Sequence, residues 1–460
     1  MINRQGAPDR TLASLLALSV VLAACSPASL PAQAELPTLA PTLEPQATAD
    51  PADPPTPTPR PTFTPPPEVE PTIPVDAEGG SEDVELIAKL QPGDPVSLVT
   101  LDMVSTTSGW GVAEGGYDFS LDERIVATGD GGDTWRDRTP PQPTSSDYPL
   151  GMAASLFALD DQRTWVVYYD KSFGPLLTPP VIWRTTDGGA TWQASAPLDL
   201  SGAAFFAPTE LSFADATHGW VLAHVDAGMS HDYVILYGTT DGGATWSRLQ
   251  DPTNASLPQS CGKTGMVFTS PETGWITGDC QGVVPGAPYL QRTDDGGRSW
   301  TEVELPAPQD APDAYAGENT ACGVVSPLLP DGTTSFLTVR CDNFETGNVE
   351  AFIYRTANDG GTWFARSLPD GFESAAFVSA RNGWVLAGGD GSGDGPHDIF
   401  QTFDGGQTFN LLRTLTWGGE ISFVTNTAGW AIALDGDRRS LLRTADAGRT
   451  WEQLQPEIVP

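Results

Sequence analysis

Few residues of this chain have the types and spacing to do chemistry. Asp390, Ser392 and Asp394 alternate with glycines and are followed by Asp398, which are the alternating oxygen donors of a calcium loop, although Gln401 stands where a bidentate acid would complete it. His224, Asp226, His231 and Asp232 crowd a second short stretch and are ligand types for a transition metal. Polar, glycine-rich loops are the simpler reading of both stretches, and no cofactor is expected other than calcium at the first. Asp310, Asp313, Glu318, Asp342, Glu345 and Glu350 supply carboxylates in connecting segments. Two of them at a suitable separation would serve a glycosidase, and a solvated acidic rim is the simpler reading. No Gly-x-Ser-x-Gly elbow, His-Glu-x-x-His helix or glycine-rich phosphate loop occurs, so no catalytic residue is assigned.

Cys261 and Cys280 are 19 residues apart, as are Cys322 and Cys341. Each couple brackets what reads as a two-strand hairpin, the first centred on Ser270-Pro271 and the second on the turn dipeptide Asp331-Gly332. Disulfides Cys261–Cys280 and Cys322–Cys341 are therefore predicted, in a chain that meets oxidising conditions. A four-thiolate metal site would need the two hairpins to converge, and it lacks a close Cys-x-x-Cys pair.

The elements that position these residues repeat seven times. The octapeptide Ser/Thr-x-Asp-x-Gly-x-Ser/Thr-Trp/Phe recurs with its acid at Asp130, Asp187, Asp241, Asp295, Asp404 and Asp446, and with Asn358 in the fifth copy. Upstream of each copy sits a second landmark, usually Gly-Trp: Trp110, Trp165, Trp220, Trp275, Phe336, Trp384 and Trp430. Short segments of mixed apolar and polar residues, separated by turn residues, give four strands per unit of about 53 residues. Four-stranded units repeated seven times predict an all-β, seven-bladed β-propeller of antiparallel blades over residues 92–460. Within each octapeptide the Asp (or Asn358) accepts turn amides, the Gly supplies positive φ, and the Trp opens the fourth strand. All seven are thus structural.

Ahead of the repeats, Arg4 and Arg10 precede the apolar run Leu12–Leu22, and Leu22-Ala23-Ala24-Cys25 closes it. That is the form of a secretory signal, and the last four residues resemble the lipobox of bacterial lipoproteins, which implies cleavage before Cys25 and lipidation of its sulfur. Residues 26–80 hold 16 of the 42 prolines and one aromatic residue, too little apolar surface to order the segment. They read as a disordered, semi-extended tether that holds the propeller off the lipid by a distance on the order of 100 Å. The expected location is the outer face of a bacterial membrane, with the lipid as the only membrane contact.

Composition narrows the partners. The chain carries 59 acidic and 23 basic residues, a net charge of −36, which argues against nucleic acid and against charge-driven adsorption to anionic lipid. The octapeptides resemble those of the Asp-box, or BNR-repeat, propellers, whose members include sialidases, xyloglucan-degrading hydrolases, the sortilin luminal domain and the photosystem II assembly factors. The chain resembles most the photosystem II assembly factor and sortilin types. That resemblance implies a monomeric scaffold for protein binding or complex assembly, with a basic patch engaged in partner binding. Arg184, Arg292, Arg355 and Arg443, each preceding a box Thr, are the candidates for such a patch, with Gly238 and Gln401 breaking the series. The alternative is a glycan-binding or glycoside-hydrolysing, sialidase-like propeller, although the Phe/Tyr-Arg-Ile-Pro signature of sialidases is absent.

Overall fold

The computed structural model describes residues 85–460 apart from 115–121, 145–149, 173–178, 229–230, 281–287, 317–318, 332–333, 390–394 and 437. Cys25, the expected lipidation site, and the expected tether at 26–80 lie outside the described residues. Seven antiparallel four-stranded blades follow one another along the chain. Their first strands are Ser97–Met103, Met152–Ala158, Ala207–Phe213, Gly262–Phe268, Thr320–Asp331, Phe372–Phe377 and Gly418–Phe423. From blade 2 round to blade 1 these strands lie against one another and wall the centre. Alternating strand direction puts the 1–2 and 3–4 turns on one face of the ring. The 2–3 loops and the blade-to-blade connections lie on the other.

Neither face of a blade can stay wet, because both sides of its inner strands carry apolar residues. Seven hydrophobic clusters among the described residues meet this demand, one at each junction. At the junction of blades 3 and 4, for example, Trp220 and Leu236 pack on Phe268, Ile276 and Trp300. The last cluster joins Trp430 and Leu441 of blade 7 to Leu98, Val126 and Trp135 of blade 1. The circle is closed.

The Gly-Trp landmark follows from this packing. The landmark ring lies flat on the last aromatic ring of the next blade's first strand: Trp165 on Phe213 at 3.7 Å, Trp220 on Phe268 at 3.5 Å, Phe336 on Phe377 at 3.9 Å and Trp384 on Phe423 at 3.8 Å. The same phenylalanine also covers the start of its own blade's second strand, where a Cβ on Gly219 would come within 2.2 Å of the Phe213 ring. Glycine is required there. Blade 2 breaks the rule, with Thr164 at this position, and it also lacks the covering ring, since Ala158 pairs with Thr164.

Two departures from four uniform strands per blade occur. Blade 1 has a fifth strand: Glu457–Ile458 runs parallel to its outer strand Thr134–Asp137. On its other side this segment bonds residues 93–96, with Ile458 N–H donating to Asp94 O at 2.9 Å and Val96 N–H to Pro456 O at 3.0 Å. The chain end thereby completes the first blade and fastens the ring. Blades 4 and 5 are also joined into one eight-stranded sheet by pairing of Asp279 with Gly323. The folded unit starts upstream of residue 92, because Ile87 N–H bonds Gln142 O and both Ile87 and Leu90 are buried.

Each landmark indole also reaches across its junction. Trp165, Trp220, Trp384 and Trp430 donate Nε1–H to the carbonyls of Gly242, Gly296, Ala447 and Gly131, the residue after the acid in the next blade's octapeptide, at 2.8–3.0 Å. Trp110 bonds Asp160 O instead, and the buried Trp275 N–H has no acceptor. Trp220→Phe, Trp384→Phe and Trp430→Phe should each lower unfolding free energy in urea by about 1 kcal/mol more than Trp275→Phe, because only the last loses no bond. Equal losses for all four would show that the bond contributes nothing.

Candidate functional site

The octapeptide face is built first and occupied first. In the blade 2 copy, Asp187 accepts from Thr191 N–H (2.9 Å), the Thr191 hydroxyl (2.7 Å) and the Thr185 hydroxyl (2.9 Å), and Thr185 Oγ1 accepts Gly189 N–H in return. Asp130, Asp241, Asp295, Asp404 and Asp446 repeat this set. Asn358 keeps it with one oxygen, taking Thr362 N–H at 2.9 Å and both threonine hydroxyls. The residue after the acid is left-handed in every copy, which glycine satisfies five times and Asp359 (φ 53°) and Ala447 (φ 64°) at some strain. The Thr191 amide and hydroxyl hold the Asp187 carboxyl below its usual range. For Asp130, burial pulls upward and is outweighed by the Thr134 and Thr128 bonds, so it too titrates low. These acids are turn anchors with every oxygen engaged.

The arginines beside the boxes are equally committed. Arg184 Nη1 donates to Asp241 O at 3.2 Å, and Arg292 Nη1 to Asp359 O at 2.9 Å. Arg443 Nη1 reaches Asp133 at 3.1 Å, and Arg355 packs against Gly405. All four reach the next blade, where Arg184, Arg292 and Arg443 are held by hydrogen bonds and Arg355 by packing alone. The sequence could not reveal this, because strand direction and blade order together decide where these side chains end.

On the opposite face a cavity of about 1430 Å³ opens into the ring between blades 5, 6, 7 and 1. Its walls are the first strands, and its mouth is formed by the 2–3 loops at Gly347–Val349, Gly388–Gly389 and Gly436. Val325, Val349 and Leu434 lie exposed around it, and Phe344, 65% exposed, tips the neighbouring hairpin of blade 5. Arg340 and Arg439 line it while paired to Asp342 and Glu114. His397, wholly buried, joins the mouth together: Nε2 meets Glu373 at 2.8 Å, and Glu373 in turn accepts Gly419 N–H at 2.9 Å across the junction with blade 7.

Asp102 and Glu420 line this cavity. Asp102 is open to water from the channel but walled by protein elsewhere. Burial pushes its carboxyl up to about 6, against a weaker downward pull from Ala158 N–H. Glu210, on the first strand of blade 3, is pushed up to about 7 by burial and then by the charge of Asp102. Burial alone raises Glu420. A sequence scan missed all three, because each looks like an ordinary polar position on an alternating strand, and only ring closure turns them inward.

The blade 3 residues singled out by spacing are engaged in pairs rather than gathered round one point. His224 Nδ1 meets Asp232, whose other oxygen accepts Lys263 N–H at 2.9 Å, while Asp226 caps Ala227. Asp398 accepts the Thr414 hydroxyl, and Asp390, Ser392 and Asp394 lie outside the described residues. Among the described residues no group of three or more His, Cys, Asp or Glu side chains is placed to hold a metal ion. Of the loop acids, Asp310 accepts Ser367 N–H, Glu345 accepts the Asn319 amide, and Asp342 pairs with Arg340. Asp313 and Glu350 border a smaller hollow of about 400 Å³, and Glu318 lies outside the described residues. Both disulfides are formed, Cys261–Cys280 and Cys322–Cys341, and they mark an extracytoplasmic protein.

Polysaccharide lyase Uly1 superposes with a TM-score of 0.52 at 10% identity, covering 81% of this chain and 94% of the lyase, and shares the fold. The chain is a seven-bladed β-propeller. No protein-family model matches it. YCF48 from Cyanidioschyzon merolae is similar at 16% identity and a TM-score of 0.47, over 78% of the propeller chain and 98% of that protein. A xyloglucanase from Paenibacillus sp is 24% identical over 290 residues, which is 59% of this chain. The chain spans about a quarter (26%) of the length of that curated relative.

The acids of this propeller act in opposite pH windows. The channel carboxyls titrate higher folded than the 3.8 and 4.5 of free Asp and Glu, so their contribution is complete below pH 4 and is lost as pH rises through 6 to 7. The box aspartates titrate lower folded, so theirs is lost only as pH falls below 3.8. Asp102→Asn/Glu210→Gln should therefore gain melting temperature relative to wild type on going from pH 4.5 to pH 8. A constant difference between the two proteins across that range would contradict the assignment.

Proposed function

We propose that this propeller is an exported, lipid-anchored scaffold that binds a protein partner at the cavity mouth on the 2–3 loop face. The observation that carries the reading is the contrast between the two faces. The octapeptide face is uniform from blade to blade, and its acids, arginines and indoles are consumed in holding the ring. The opposite face has unequal loops, a cavity of about 1430 Å³ and exposed Val325, Val349 and Leu434. Apolar side chains left exposed together on one face mark an interaction surface. Lipid on Cys25 and the proline-rich tether would let this face sample partners at a distance from the membrane.

A second reading has its own observation. Asp102 and Glu210 are two channel carboxyls that feel each other's charge, one of them held near 7, which is the electrostatic arrangement of an acid and base pair. On that reading the propeller cleaves or binds an exposed glycan, and the likeness to a xyloglucanase favours it.

Cross-linking of the purified chain in solubilised envelope separates the two. The scaffold reading expects one defined protein complex that is lost in Val325→Asp/Val349→Asp and kept in Asp102→Asn. Cleavage of a polysaccharide by the purified chain, abolished by Asp102→Asn or Glu210→Gln, would replace it with the second reading.

A further inference from the structure

The two disulfides flank the joint between blades 4 and 5. Cys322 and Cys341 are register partners on the first two strands of blade 5, and Cys261 and Cys280 stand one residue beyond Gly262 and Asp279, the last register pair of the first two strands of blade 4. Their Cα separations are 4.0 and 4.3 Å. Between the two couples, the second strand of blade 4 (Gly274–Asp279) pairs antiparallel with the first strand of blade 5 at Asp279 and Gly323. In antiparallel register one chain advances as the other recedes, so the next position sets Cys280 opposite Cys322. Opposed residues project from the same face of a sheet. Cys280 and Cys322, the chain neighbours of the paired Asp279 and Gly323, are thereby brought together at the joint, each still bonded to its own partner. The backbones at the joint are tightly apposed, since a Cβ on Gly323 would stand 2.6 Å from the Asp279 Cβ.

We propose that Cys280 and Cys322 form a thiol–disulfide exchange site that joins blade 4 covalently to blade 5. A dithiol reductant first reduces Cys261–Cys280 and is itself oxidised to a disulfide as that bond takes its two electrons. The Cys280 thiolate then attacks Cys322 Sγ. The Cys280–Cys322 bond forms, the Cys322–Cys341 bond breaks, and Cys341 leaves as a thiolate that takes up the proton Cys280 gave up. The second step moves no net electrons. Entry is through the blade 4 bridge, whose cysteines are 8% and 9% exposed against 2% and 3% for the other pair. The junction served is the one where the Trp275 indole has no acceptor, and a covalent seal would replace the missing bond.

Limiting dithiothreitol added to the oxidised full-length chain, followed by N-ethylmaleimide, digestion and mass spectrometry, tests this. The expected product is a peptide pair linked Cys280–Cys322 with Cys261 and Cys341 alkylated. Only the native pairs and their reduced forms at every dithiothreitol concentration would overturn it. In a second arm, Cys261→Ser/Cys341→Ser should oxidise in air to Cys280–Cys322, while Cys261→Ser/Cys322→Ser keeps its two propeller thiols free. A folded Cys261→Ser/Cys341→Ser protein with both thiols alkylatable would count against the proposal. Where that variant does not fold, the mapping on the unaltered chain decides.

Discussion

Everything in this molecule follows from one geometrical demand: a blade with two apolar faces must be covered on both, and only a closed circle covers all of them. Stacked aromatic rings fill four of the junctions, and at four an indole N–H bonded to a carbonyl of the next octapeptide fixes the register. The octapeptide is best understood from this side. Its Asp and Thr hold a tight turn so that one carbonyl points outward to the neighbour, and Arg184, Arg292 and Arg443 converge on the same turns. A burial of apolar area of this kind is worth about 25 cal/mol per Å², far more in sum than any single polar bond, so the bonds select the arrangement and burial stabilises it.

That demand divides the two faces of the ring. On the octapeptide side, the acids and hydroxyls are engaged in their own turns and most of the arginines and landmark indoles in bonds across junctions, which leaves little to recognise a ligand. On the other side the loops carry no such duty and their lengths diverge, from the short return at Gly436 to the long hairpin of blade 5. The channel between them gathers carboxyls into a walled space where ionisation is costly. A scaffold and a glycan-processing site draw on the same hollow, and they differ in whether its apolar rim or its buried acids meet the partner.

Repetition made the fold legible in the sequence, because seven copies of an eight-residue turn and seven aromatic landmarks leave one architecture. Both cysteine couples were legible for the same reason, since hairpin spacing fixes which positions face each other. What spacing could not convey was anything set by closure. The parallel strand at Glu457–Ile458, the fusion of blades 4 and 5 at Asp279 and Gly323, and the inward turn of Asp102 and Glu210 all depend on contacts between segments far apart in the chain. The arginines before the box threonines suggested a surface patch and instead span junctions, because an exposed and a bridging arginine look alike in one dimension. Asp226 and His231 crowd together in sequence, yet their hairpin directs Asp226 to its own backbone.

Native-state hydrogen exchange across a urea series addresses the closed circle most directly. The amides of Gly132, Gly189, Gly243, Gly297, Gly360, Gly406 and Gly448 are each bonded to a box threonine, one per blade. If neighbours seal one another all the way round, these seven amides exchange through a single opening with a common free energy and a common urea dependence. Blades that open separately, each with its own free energy, would contradict the account.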